Sequence, residues 1–218
     1  MLNRQVYKMA NAKIITAIII PMLFICMMGY VYAHWTDNVF TKYKFHFICV
    51  EAEITSYKVL TEHKYNDDKI TVYPTSDELE QMGGTSTLQI SAIIPEPGWY
   101  IWVGLVIHNQ GVPPVLVGTP TYEFSDPNGI AGNFTHDEYF YGPFIKGEFA
   151  NIKNDPRVWD GIKYYDLPST YPQTTPPVRL EHCEKLILWI KLQLSPDYPG
   201  TMDFSLQIAI KLNVSLAP

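Results

Sequence analysis

Apolar and polar residues alternate with a period of two along much of this chain. In the last segment Met202, Phe204, Leu206, Ile208, Ile210, Leu212 and Val214 fall on one face, and Asp203, Ser205, Gln207, Lys211 and Asn213 fall on the other. Period two sustained over thirteen residues predicts a strand with one wet face. Leu186, Leu188, Ile190, Leu192 and Leu194 form a second such face. The turn Ser195-Pro196-Asp197-Tyr198-Pro199-Gly200 separates the two, with proline and glycine where a ladder must stop. Two antiparallel neighbours are expected there. Trp99 to His108 is apolar on both faces, which predicts a central strand or one with a face covered by another element. Leu88 to Ile94 is a fourth run, Phe45 to Leu60 a long fifth, and Ile70 to Tyr73 a short sixth. Helical periodicity is not sustained; Ser76 to Met82 fits a turn or two of helix with Ser76 as its cap. The pattern predicts an all-β sandwich.

Residues from about 120 to 180 read differently. Pro, Gly, Asp, Asn and Tyr dominate, which predicts a loop-rich insertion with short strands such as Pro143 to Phe149. A connection of that length in a compact domain is usually functional or mobile.

Before the strands comes a leader. Ile14 to Ala33 is 20 residues without a charge, preceded by Arg4, Lys8 and Lys13, which orients the N-terminus to the cytoplasm. Val31-Tyr32-Ala33 supplies the small and β-branched residues of a signal cleavage site between Ala33 and His34. Twenty apolar residues also just span a bilayer, and Pro21 does not forbid it, so a retained anchor is the other reading. Either way the chain enters the membrane during export. Residues 1–33 are then leader helix, and 44–218 one domain large enough for a sizeable core.

Composition narrows the partners. Removing the three basic residues of the leader takes the formal charge from −6 to −9, which argues against a nucleic-acid backbone as partner. Fifteen tyrosines with only 17% charged residues suit strands and broad contact surfaces. Of three cysteines, Cys26 lies in the leader, leaving Cys49 and Cys183 either as one disulfide or as two separate thiols. A bridge would staple the two ends of the domain.

Several motifs then fall in one order. Tyr32-Ala33-His34-Trp35-Thr36-Asp37 resembles the Ala-aromatic-aromatic-x-Asp junction of the TasA/camelysin family of secreted fibre proteins, with His34 replacing the first aromatic. Glu96-Pro97-Gly98-Trp99 through Asn109-Gln110-Gly111 is similar to that family's Pro-Gly, strand, Asn-x-Gly segment. Leu194 to Gly200 followed by Phe204-Ser205-Leu206 resembles its late turn and closing strand. The likeness is closest to archaeal bundling-pilus and thread subunits, and residues 120 to 180 have no counterpart in it.

That resemblance implies a jelly-roll-like sandwich polymerised by strand donation, serving adhesion or biofilm structure. The donor would be His34 to Tyr43, with Trp35, Val39 and Phe40 entering a groove of the next subunit. Donation pairs a sheet edge that would otherwise invite aggregation, and head-to-tail donation yields an open filament of self-associated chains. A flexible stalk or an internal edge strand is the plainer reading of the same segment. The runner-up function is a membrane-anchored sandwich binding a ligand at the cell surface.

Relatives labelled metallopeptidases make zinc the third reading. No His-Glu-x-x-His motif is present. Glu181-His182-Cys183-Glu184 is the densest ligand cluster, but neighbouring residues on a strand diverge, and a surface turn before Leu186 is the better reading. His136-Asp137-Glu138 reads as a solvated loop, and Tyr139, Phe140, Tyr141 and Phe144 as packing rather than a sugar platform. No phosphate cradle or nucleophile elbow follows a strand, so neither enzyme activity nor a cofactor is expected. Asn133-Phe134-Thr135 and Asn213-Val214-Ser215 are N-glycosylation sequons, Asn213 requiring that its face of the last strand be wet.

Overall fold

The computed structural model describes residues 51–61, 70–94, 96–125, 131–157, 172–200 and 204–218. The leader, the cleavage junction at Ala33 and His34, the donor segment with Trp35, Val39 and Phe40, and Cys49 lie outside the described residues. The chain forms β1 (Ala52–Thr61), β2 (Ile70–Tyr73), the helix α1 (Ser76–Met82), β3 (Thr87–Ile94), β4 (Tyr100–Asn109) and β5 (Val115–Ser125). It continues with β6 (Phe134–Phe144), β7 (Val178–Leu180), β8 (Lys185–Leu194) and β9 (Phe204–Leu216). They build a four-stranded sheet, ordered β1-β4-β8-β6, and a five-stranded sheet, ordered β2-β3-β9-β5-β7. Every pairing is antiparallel. Among these strands every connection except β2–β3 passes from one sheet to the other, the wrapping expected of a jelly-roll-like sandwich. The fold is all-β, as the alternation predicts.

The inward faces make the core. Leu88, Ile90 and Ile94 of β3 and Leu206, Ile208 and Ile210 of β9 meet Ile101, Val103, Leu105 and Ile107 of β4 and the even-numbered positions Leu186 to Leu194 of β8. Each such side chain contributes about 1.5–3 kcal/mol when fully buried. The placement of β8 and β9 corrects one expectation. They are not neighbours in one sheet: β8 lies between β4 and β6, and β9 between β3 and β5. Two strands with one apolar face each bury it equally well side by side or face to face, so alternation cannot choose between the two. Here the proline-rich turn carries the chain across the sandwich.

A second apolar layer covers the outside of the four-stranded sheet. Trp102 and Val106 of β4 and Ile187 and Trp189 of β8 pack there with Tyr141, Phe144, Phe149 and Ile152. This explains a run apolar on both faces: β4 is both central and covered. The Trp189 indole donates to the Asn154 carbonyl at 2.8 Å. Its ring lies directly over Gly104, its cross-strand partner, where a Cβ would sit 2.5 Å from the indole. Only glycine fits beneath that ring. The described part of the insertion after β6 is therefore a structural cover: Phe149, Ile152, Asn154 and Asp155 are buried, and the Asp155 carboxylate is paired with Arg157.

Three further expectations are corrected. Residues 134–144 form an eleven-residue strand, not mostly loop, and Pro143 to Phe149 is not a strand but the end of β6 and the approach to a 3-10 turn at Phe149–Asn151. Polar His136 and Glu138 on its inward-facing positions disguised it. The helix is capped by Thr75, not Ser76: the Thr75 hydroxyl accepts from the Glu78 amide while the Glu78 carboxylate accepts from the Thr75 amide. That reciprocal pair is a capping box, displaced by one residue from the serine the sequence offered. The first described strand runs Ala52–Thr61, and the earlier part of the Phe45 to Leu60 run lies outside the described residues.

Candidate functional site

Polymerisation by strand addition needs an edge, so the four outermost described strands are where it could occur. In the five-stranded sheet β2 has four residues and β7 three. At one end of the four-stranded sheet stands β6, met near its C-terminal end by Thr174, whose amide donates to Phe140 at 2.7 Å and whose hydroxyl donates to Gly142 at 2.6 Å. At the other end stands β1, ten residues long. At ten and eleven residues β1 and β6 are the two long outer strands among the described residues, and each is met on its free side by one isolated bridge, Ile54 to Thr85 on β1 and Phe140 to Thr174 on β6.

The flank beside β1 is also where the core thins. Phe124 and Tyr122 of β5 contact Phe134 and His136 of β6, which sets that side of the two sheets face to face. Strand β1 bridges from Ile54 to Thr85, just before β3, so β1 and β2 share the opposite flank. There the inward-facing Tyr57 and Val59 of β1, with Ile70 and Val72 of β2, are only half-buried. One strand inward, Val103 and Leu105 are fully buried. Sequence reasoning missed these four rim residues because each fits an ordinary strand pattern; half-burial depends on where the strand lies in its sheet.

The far end of the sandwich gathers the sequence's densest ligand cluster. His182 and Cys183 are on a turn, as expected, but they converge rather than diverge, because Cys183 adopts a positive φ of 66°. Its exposed Sγ lies 3.2 Å from Nε2 of His182. The His182 Nδ1 lies 2.8 Å from the Gly111 carbonyl, an acceptor only, which places the ring proton on Nδ1 and leaves Nε2 to accept a hydrogen bond from the thiol. Cys183 is anchored by its amide to Asn109, beside the bond from Gln110 to Glu51 at the start of β1. Asn109 is buried and ties this corner together, donating to Pro113 and Leu180 and accepting from Gly111. Among the described residues no group of three or more His, Cys, Asp or Glu side chains is placed to hold a metal ion.

His108 faces the same corner, opposite Lys185. Burial first, then the charges of Lys185 and His182, hold its imidazole below the usual 6.5, against a hydrogen bond to the Cys183 backbone that acts the other way. A base depressed on folding binds fewer protons in the folded chain than in the unfolded one. Its contribution to stability is present above pH 6.5 and lost as pH falls through the lowered value. His108→Gln should therefore flatten the loss of urea midpoint between about pH 7.5 and about pH 5. An equal loss in both proteins would show that His108 does not carry it.

The remaining sequence candidates are scattered. His136 and Glu138 lie on β6 rather than in a loop, 3.9 Å apart, with the Tyr122 hydroxyl donating to Glu138 at 2.7 Å. Phe140, Tyr141 and Phe144 are buried and present no platform for a sugar. Asn133 is half-buried at the start of β6, its carbonyl accepting from Ser195. Asn213 is exposed on the outer face of the five-stranded sheet, the wet face its sequon requires. Among the described residues no helix is long and apolar enough to cross a membrane. No protein-family model, curated protein or solved structure matches this chain.

Proposed function

We propose that this protein is the subunit of an extracellular filament, exported by its leader and assembled when His34 to Tyr43 of one chain adds to the β1 edge of the next. The observation that carries the reading is the open apolar rim beside β1: this outer strand is ten residues long and its inward side chains are only half-buried, while β2 and β7 are short and β6 has its flank closed by Phe124 on Phe134 and Tyr122 on His136. An added strand would hydrogen-bond along β1 and place alternate side chains, Trp35 and Val39 among them, toward Tyr57, Val59, Ile70 and Val72, with Phe40 on the opposite face. The resemblance to secreted fibre proteins supports the same arrangement, and with it a role in adhesion or biofilm structure. Tethering in the membrane would keep the donor from pairing before cleavage at Ala33.

The test uses the rim. Protein recovered from the cell surface should begin at His34 on N-terminal sequencing and form filaments under the electron microscope. Tyr57→Lys combined with Val59→Lys places two charges in the rim at half-buried sites, costing folding about 1–2 kcal/mol while reducing filament mass at least about tenfold. Filaments of undiminished mass from a folded double variant would rule out this edge.

A further inference from the structure

We propose that the outer face of the five-stranded sheet carries a binding cleft for a neutral oligosaccharide. The registers of β3, β9 and β5 set Ser91, Gln207 and Ser125 in one row across the sheet. The next row runs Tyr73, Gln89, Ala209, Glu123 from β2 to β5. Ala209 is the small residue in the middle of that row, and the surface sinks there into a hollow of about 450 Å³. This is within the range of small-ligand sites, roughly 300–1,000 Å³.

The chemistry of the lining selects the ligand. Gln89, Gln207, Ser91 and Ser125 are neutral groups that both donate and accept, as the neighbouring hydroxyls of a sugar do. Tyr73 is 59% exposed at the wall of the hollow, a large aromatic side chain left in water with one apolar face available for the C–H face of a pyranose. Glu123 on the opposite wall is ion-paired with Lys211, so the hollow carries no net charge in a chain whose formal charge is −6. A nucleic acid would need unpaired cationic side chains, and the one lysine here is matched. A peptide strand adds to a sheet edge, whereas this hollow lies across the face of four strands. The cleft differs from the β1 edge in its chemistry and does not rest on the filament reading.

Affinity electrophoresis of the full-length protein in gels containing a neutral glucan, a neutral mannan or anionic alginate tests the assignment. Retardation by a neutral polysaccharide is expected, and Gln207→Ala and Tyr73→Ala should each weaken it at least about tenfold, the loss of one well-placed contact. Ala209→Trp fills the hollow and should abolish it. The exposed Gln207 and Tyr73 variants should keep the parent's thermal midpoint, so lost retardation reports on the cleft rather than on folding. No retardation by either neutral polymer, retardation by alginate alone, or neutral binding that survives all three substitutions would overturn the proposal.

Discussion

Replacing Trp189 by alanine is expected to destabilise the protein by about 3–5 kcal/mol, a large share of the roughly 5–15 kcal/mol that holds a domain folded. The residue is fully buried at the centre of the outer apolar layer, where it spans the row Gly104–Trp189–Tyr139 from β4 to β6. Its removal vacates the space over Gly104, which has no side chain with which to fill it. It also takes the donor from the Asn154 carbonyl, one of the contacts that pin residues 145–157 onto the sheet. Trp189→Phe keeps most of the apolar surface and loses the N–H, so it should fall between the two. Guanidinium unfolding of the three proteins measures this. A loss below about 1 kcal/mol for alanine would mean that the segment after β6 does not pack on the sheet as a core.

Deleting residues 34–43 is the second large effect. Because the described core begins at Ala52, the truncated protein should keep the β-rich circular dichroism and the thermal midpoint of the parent within a few degrees. It should form no filaments at any concentration, since the donor is gone while the acceptor edge remains. The two deficits must separate. A truncated protein that polymerises as before removes strand donation from the account, and one that unfolds makes the segment part of its own fold.

Much of the sandwich is legible in the sequence because burial imposes period two. The inward faces of β8 and β9 and the short β2 are written in the alternation of Leu, Ile and Val with polar residues. What the pattern leaves open is which strands are neighbours, because a row of apolar side chains at positions 186 to 194 buries equally well beside β9 or opposite it. It also fails where chemistry interrupts alternation. His136 and Glu138 broke the signal of β6, although the structure satisfies them through Tyr122 at the edge of the core. The doubly apolar β4 did announce a cover over one face, but not that the cover would come from the proline- and glycine-rich insertion. The candidate sites are less legible still. Tyr57 and Val59 look like any strand residues, and the meeting of Cys183 with His182 depends on a left-handed backbone angle that a non-glycine residue rarely adopts.

The position of His34 to Tyr43 in an assembled filament tests the central claim most directly, and cryo-electron microscopy of filaments from the processed protein would show it. The account predicts that this segment lies antiparallel or parallel along β1 of an adjacent subunit, with Trp35 and Val39 reaching the rim formed by Tyr57, Val59, Ile70 and Val72 and Phe40 on the opposite face. Finding the segment folded against its own subunit, with subunits joined through other surfaces, would contradict it.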